Sequence, residues 1–459
     1  MKKGFKRLGW WLAASLAALV FLPQLMHPGL YVDGLLYAAI SRNLASGMGT
    51  MWSPYFAEVL FPAFYEHPPL AFWLQSLSYL ILGDHWWVDK LYGIVLLAGC
   101  LLLIGRIAYR GLGVHWIPAV GFLFLPLVWW SFGNNMLENT VSFFVLLSVW
   151  GQYQWTRTSK NYWLILAGVA LLAGFLAKGP VALFPLVWLP LDRFFLAKKD
   201  MRHGWIGLFW VGGVFLTGFL LLMIYTPSRE GILQYLDQQV WSSLSGKRSD
   251  GSRIQIAIRL VENLIPLLLL YILGIWLNRS PEQKDNLRYS LRWILFALCG
   301  TLPIFISSKI NIHYFIPALP FYALALAPLF RNSMFEYLQY TFHLRRFRYG
   351  GWLLVVIIWL FALILTFNQT GKPKRDITTL ADLELIAEEA GTDTKIGLTT
   401  ELYQVWSLHA NAQRFHQLSL AMDSTLPYVI STRSVLEGHH LLTPANQEFF
   451  LHIKAAEQN

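Results

Sequence analysis

The chain has 459 residues, of which 56% are hydrophobic and only 14% charged, with a formal net charge of +10. Soluble domains carry close to a quarter charged residues, so this composition excludes an ordinary soluble protein and points to a chain that crosses a membrane many times. The basic residues lie in short loops without the interleaved motifs of a nucleic-acid surface, which excludes nucleic acid as a partner and fits membrane topology.

Apolar runs predict eleven spans, at about 9–26, 88–105, 116–132, 137–154, 161–177, 179–192, 205–226, 260–278, 291–307, 312–330 and 350–368. The first run is long and lacks a small-residue cleavage site, so it reads as a retained helix and not a signal peptide. Cys100 and Cys299 fall inside separate apolar runs and read as small buried hydrophobes, not a disulfide. Lys and Arg concentrate on one side: Lys2, Lys3, Lys6 and Arg7, then Arg106 and Arg110, Arg157 and Lys160, Arg193, Lys198, Lys199 and Arg202, and so on to Arg345, Arg346 and Arg348. The bias puts the N-terminus inside and, after eleven spans, residues 369–459 outside.

Between the first two spans, residues 27–87 form a long outer loop with two helices. In "DGLLYAAISRNLASG", Asp33 stands at an N-cap position and Gly47 at the stop. In "PPLAFWLQSLSYLILG", proline opens the helix and Gly83 closes it; this run is too short for a comfortable span and is expected to lie in the outer interface. A second long outer loop covers 227–258. The domain division is therefore 1–368, a membrane body, and 369–459, a small α/β domain. In the latter "DLELIAEEAG" reads as a helix, and "TKIGLTT" and "LPYVIST" as strands. His439 and His440 in this tail read as surface histidines.

This topology collects polar residues at the outer membrane face: Asp33, Tyr37, Arg42, Glu66, His67, Asn134, Asn135, Glu138, Lys178, the 245–253 stretch with Arg248 and Arg253, Lys309, His313 and Tyr314. Carboxylates there serve as bases or hold a cation, and Lys and Arg hold phosphate. Each has an ordinary reading as well. Asp33 can simply cap its helix, Glu138 can do the same at its own helix start, Lys178 and Lys309 can snorkel to headgroups, and Glu66 can answer a structural cation. The Pro68–Pro69 step fixes an extended approach to Glu66 and a hard helix start after it.

"YVDGLLYAAISRNLASG", "YEHPPLAFWLQSL", "FLAKGPVALFPL" and "SSKINIHYFIPALPFYALAL" follow one another in an order that resembles the membrane GT-C glycosyltransferases, most of all the aminoarabinose lipid A transferase and protein O-mannosyltransferase branch. The resemblance covers about residues 1–330. It implies an outward-facing enzyme that takes a polyprenyl-phosphate sugar as donor. It matches Asp33 to the family's first-loop acid, Glu66 to the acid before Lys-Pro-Pro, Glu138 to an acid opening an early span, and Lys178 and Lys309 to two recurrent lysines. Three departures stand out: Gly34 follows Asp33 where a second acid is common, His67 replaces the lysine before Pro-Pro, and 227–258 holds no histidine of the kind that some members use as a metal ligand.

The expectation is thus an all-α polytopic membrane glycosyltransferase with a small outer α/β domain, in the inner membrane if the host is bacterial. Asp33 and Glu66 are the catalytic acids. Lys178, Lys309, Arg248, Arg253 and Tyr314 bind donor phosphate. Tyr37, Arg42, His67, Glu138 and His313 bind substrate. The sequence names no certain cofactor and leaves room for a divalent cation, which would sit at Asp33 and Glu66. The partners are the lipid-linked donor, membrane lipid and a lipid, glycan or protein acceptor. The alternative, a carrier of lipid-linked sugars, predicts internal repeats and mid-bilayer charges; the chain shows no repeat, and its acids gather at one surface.

Overall fold

The computed structural model describes residues 2–112, 116–196, 201–244, 252–277, 283–330, 345–443 and 448–454. In chain order, α1 spans Lys2–Leu25, α2 Val32–Ala45, α3 Leu70–Leu82, α4 Val88–Leu112, α5 Ile117–Leu123, α6 Pro126–Gly133, α7 Leu137–Thr158 and α8 Tyr162–Lys178. Long helices follow at Met201–Ile224, Arg253–Leu277, Gln283–Thr301 and Arg345–Gln369. Among the described residues seven helices are long and apolar enough to cross a membrane, and α3 and α8 are shorter apolar helices.

The expected spans differ from these where proline intervenes. The 116–132 run is two helices, α5 and α6, because Pro126 opens a new helix after the extended Leu125. The 179–192 run is two 3-10 turns followed by a Trp188–Leu196 helix, with Pro180 and Pro185 each opening a turn. The helices around these breaks lock through aromatic packing. Trp188 stacks on Trp293 at 4.3 Å, and Phe296 meets Phe321 edge-on at 4.7 Å. The outer surfaces of the body are apolar: Phe209, Leu221 and Ile224 on one helix, Ile254, Leu269 and Ile272 on another, and Leu353, Leu360 and Phe367 on a third are all exposed. That is the reverse of a water-soluble bundle and the arrangement a lipid solvent selects.

α3 shows the same inversion on a small scale. Trp73, Leu77, Leu80 and Ile81 face outward, while Gln75, Ser76 and Tyr79 are buried against protein. α2 departs from expectation at its start. Tyr31 is the N-cap (φ −61°, ψ 148°), Asp33 lies inside the first turn, and no side chain caps the helix. The chain entry is held from outside, where Tyr31 N–H donates to Asn134 Oδ1 at 2.7 Å. Gly34 packs so closely on the α6–α7 turn that a Cβ there would lie 2.0 Å from the Asn134 carbonyl oxygen. A second acid at this position has no room.

The C-terminal part is a five-stranded sheet in the order β2-β1-β3-β5-β4, with β1 Lys395–Leu398, β2 Ser419–Ala421, β3 Tyr428–Ser431, β4 His439–Thr443 and β5 Phe450–Lys454. β1 runs parallel to β2 and β3; β5 is antiparallel to β3 and β4. Helices Ile377–Ala390 and Trp406–His416 close its core over Ile396, Leu408, Leu420, Ile430 and Leu451. Gly391 (φ 83°) ends the first of these helices, as the sequence predicts. His439 and His440 are neighbours on β4, so their side chains leave opposite faces of the sheet.

Candidate active site

Helices α7 and α8 are joined by a short turn at Ser159–Asn161. They pack as an antiparallel hairpin, which brings the start of one beside the end of the other. Glu138 occupies the first turn of α7 and Lys178 the last residue of α8, each at the helix end whose dipole favours its charge. Glu138 is 0% exposed and Lys178 9%. Glu138 Oε1 accepts from Lys178 Nζ at 2.5 Å and lies 3.6 Å from His313 Nε2. Glu138 Oε2 is buried with no hydrogen-bond partner among the described residues. Lys178 Nζ also sits 4.9 Å from the centre of the Tyr314 ring. Gly179 (φ 81°) lets the chain turn immediately after Lys178, under Tyr235, whose hydroxyl donates to the Lys178 carbonyl at 3.2 Å.

These groups border a cavity of about 550 Å³. Its polar lining is His67, Glu138, Lys178, Lys309 and Tyr314, together with Tyr235, Gln239, Ser243 and Ser307. The apolar lining includes Val181, Leu183, Phe184, Val187, Cys299, Pro303 and Ile304. Lys309 has no ion-pair partner among the described residues, in contrast to Lys178. The cavity therefore combines two lysines with a largely apolar wall.

Asp33 and Glu66 stand beside this cavity and not in its wall. Burial holds the Asp33 carboxyl above its ordinary range; Glu138 and Glu66 add to that effect, and Lys178 and Lys309 oppose it. Asp33 thus senses the charges of the cavity's polar lining. Glu66 is half-buried in the loop before Pro68. Tyr37, on the same helix as Asp33, shares a 3.1 Å hydrogen bond with His67 Nε2. Burial first, then Lys178 and Lys309, push His67 well below the ordinary histidine range, which favours the neutral ring.

Other expected site residues lie elsewhere. Arg42 is buried away from the cavity and donates to Asp84 at 3.1 Å, Asn43 Oδ1 at 2.8 Å and the Gln413 carbonyl at 2.8 Å. Arg253 opens the Arg253–Leu277 helix, is exposed, and does not line the cavity. Arg248 lies outside the described residues. His313 supports Glu138 and stacks on Trp130 at 5.8 Å. Tyr235, Gln239 and Ser243 were not singled out by sequence reasoning. The irregular winding at Leu236–Trp241, a π-helix of the kind that often marks functional sites, leaves no sequence signature there. Among the described residues, no group of three His, Cys, Asp or Glu is placed to hold a metal ion. Asp33 and Glu66 alone do not amount to such a site.

Residues 66–227 match the family model for dolichyl-phosphate-mannose-protein mannosyltransferases. Over nearly its full length the chain is similar to the crystal structure of ArnT from Cupriavidus metallidurans bound to undecaprenyl phosphate (15% identity, 98% of each chain, TM-score 0.68). It is also similar to the apo form of that protein (14% identity, 97% of this chain and 98% of the other, TM-score 0.63). No curated protein matches the chain. The family match covers about a third of the chain, and the fold of the whole chain is like that of ArnT.

Proposed function

We propose that this protein transfers a sugar from a polyprenyl-phosphate donor to a lipid, glycan or protein acceptor on the outer side of the membrane. The observation that carries the reading is the cavity, in which a largely apolar wall suited to a polyprenyl chain carries Lys178 and Lys309. Such a lipid is what the ArnT structure holds, as undecaprenyl phosphate.

The donor phosphate docks against Lys309 and the Lys178–Glu138 pair. Phosphate is already a competent leaving group, so cations that neutralise its developing charge matter more than an acid that protonates it. Asp33 takes the proton from the acceptor hydroxyl as that oxygen attacks the anomeric carbon. The bond from that carbon to the phosphate oxygen breaks with its electrons on the phosphate. Glu66 orients the acceptor, and Glu138 holds the Lys178 ammonium in place for the phosphate. The transfer is a single displacement, so the anomeric configuration inverts. No step is routed through a metal.

Purified enzyme offered a panel of undecaprenyl-phosphate sugars is expected to consume at least one, release undecaprenyl phosphate and form an inverted glycoside. Transbilayer movement of the same lipids by reconstituted protein, without bond cleavage, would replace this reading by the carrier.

The proposed orientation has the N-terminus cytoplasmic and residues 369–459 extracytoplasmic, on the strength of the Lys and Arg bias between alternate loops. Alkaline phosphatase fused after Asn459 should be active in a bacterial host, and green fluorescent protein fused there dark. The opposite pair of results would invert the topology and put the cavity's polar lining on the wrong face.

A further inference from the structure

We infer that the C-terminal domain is part of the catalytic apparatus, and that Arg414 on its Trp406–His416 helix is a positioning residue that sets the Asp33 helix through a continuous chain of buried hydrogen bonds. The chain can be followed atom by atom. Arg414 is 2% exposed. Its Nε donates to Asp89 Oδ1 at 2.9 Å and Oδ2 at 3.0 Å, and its Nη2 to Asp89 Oδ1 at 2.5 Å. Its Nη1 reaches Asp84 at 2.8 Å, and its plane lies over the Tyr79 ring at 5.4 Å. The Asp89 carbonyl accepts from Gln75 Nε2 at 3.2 Å. Gln75 Oε1 in turn accepts from Ser41 on α2 at 3.0 Å and from Asn135 at 3.1 Å. Asn135 also donates to the carbonyl of Gly34, the residue after Asp33, at 3.3 Å. A second strand of contacts runs parallel to the first, from the Gln413 carbonyl through Arg42 on α2 to Asp84.

Asp84, Asp89, Arg42 and Arg414 form a set with no net charge, drawn from three separate stretches of chain; Asp89, Arg42 and Arg414 are buried and Asp84 is exposed. Burying an ion pair such as Arg414–Asp89 is not a strong source of stability, since apolar residues of similar shape would hold the domain as well or better. A planar, bidentate guanidinium instead fixes register. Register is what α2 needs, because Gly34 is pressed against the Asn134 carbonyl and the helix start has no cap of its own. A small rotation of α2 would move the Asp33 carboxylate out of line with the acceptor.

This inference rests on Asp33 as the reacting acid. The test uses the full-length enzyme in detergent. Arg414→Lys keeps the charge and loses the fork; kcat should fall by roughly tenfold to a hundredfold, while the donor KM stays near the wild-type value because Lys178 and Lys309 are untouched. Ile430→Ala, in the core of the same domain, serves as the control for lost stability and should leave kcat near wild type in the folded fraction. Gln75→Leu cuts the chain inside the first loop without touching the domain. It should reproduce the kcat loss and carries the test if Arg414→Lys does not fold. The double variant should lose little beyond the worse single, as links of one chain do. Wild-type kcat in folded Arg414→Lys or in Gln75→Leu, or an equal kcat loss in Ile430→Ala, would overturn the inference. A wild-type enzyme inactive on every donor would instead count against the proposed function.

Discussion

Asp33→Asn is expected to lower turnover by roughly a hundredfold or more and to leave the melting temperature unchanged or raised. If Asp33 were only a helix cap, Asn would replace it almost without cost. The structure removes that role: Tyr31 is the cap position, and the Asp33 side chain makes no capping bond. What remains is a carboxylate whose surroundings oppose its charge, through burial first and then the neighbouring Glu138 and Glu66. An acid held above its ordinary range binds its proton more tightly in the folded chain than in the unfolded one. Stability therefore falls as pH rises from the ordinary carboxylate value through the raised one, and stays lower above it. Asn never ionises, so the variant escapes that loss. The same raised value brings a general base closer to working pH, and kcat of the wild type should decline on the acid side as Asp33 takes up a proton. Glu66→Gln should also impair turnover with little effect on the fold, because Pro68 and Pro69 still fix the backbone. Near-normal kcat in both variants, measured on protein that melts like wild type, would remove this mechanism.

The parts of this site that were legible in the sequence share a physical origin. In a chain this short of charge, each ionisable group near a span end must answer to something, and Glu138, Lys178, Lys309, His67 and Tyr314 do converge on one cavity. The long apolar helices follow from the same scarcity. Proline was harder to weigh. Pro126, Pro180 and Pro185 sit in runs that hydropathy alone joins into spans, yet each opens a new helix or turn. Arg42 was misplaced because a charge at the outer face can serve a ligand or a neighbouring domain equally well, and only its 2.8 Å bond to the Gln413 carbonyl decides. Arg414 was invisible for a related reason. Its partners Asp84 and Asp89 lie more than three hundred residues away in sequence, and no periodicity records a contact between an α/β domain and a loop of the membrane body.

Lys178→Ala and Lys309→Ala are expected to fail in different ways, although family resemblance alone treats the two lysines as equivalent donor ligands. Lys178 is committed to Glu138, and removing it leaves a fully buried carboxylate with only the more distant His313 for company. An uncompensated buried charge costs about 3–5 kcal/mol, so the melting temperature should drop sharply and donor binding weaken as well. Lys309 is half-buried at the cavity wall without an ion-pair partner among the described residues, so its ammonium is available to an incoming phosphate. Its loss should leave the melting temperature nearly unchanged while donor affinity falls about tenfold to a hundredfold, the worth of a hydrogen bond to a charged group. A third variant separates charge balance from chemistry. Lys178→Met combined with Glu138→Leu removes both charges, which should restore much of the lost stability. Turnover should stay low, because the donor phosphate then lacks the Lys178 ammonium. Melting in detergent and donor KM, measured on the same preparations, read the two effects apart. Lys178→Ala melting like wild type would mean that Glu138 is not held as a charged partner. An unchanged donor KM in Lys309→Ala would move the phosphate away from the cavity's lysines, and with it the direction from which the acceptor must approach.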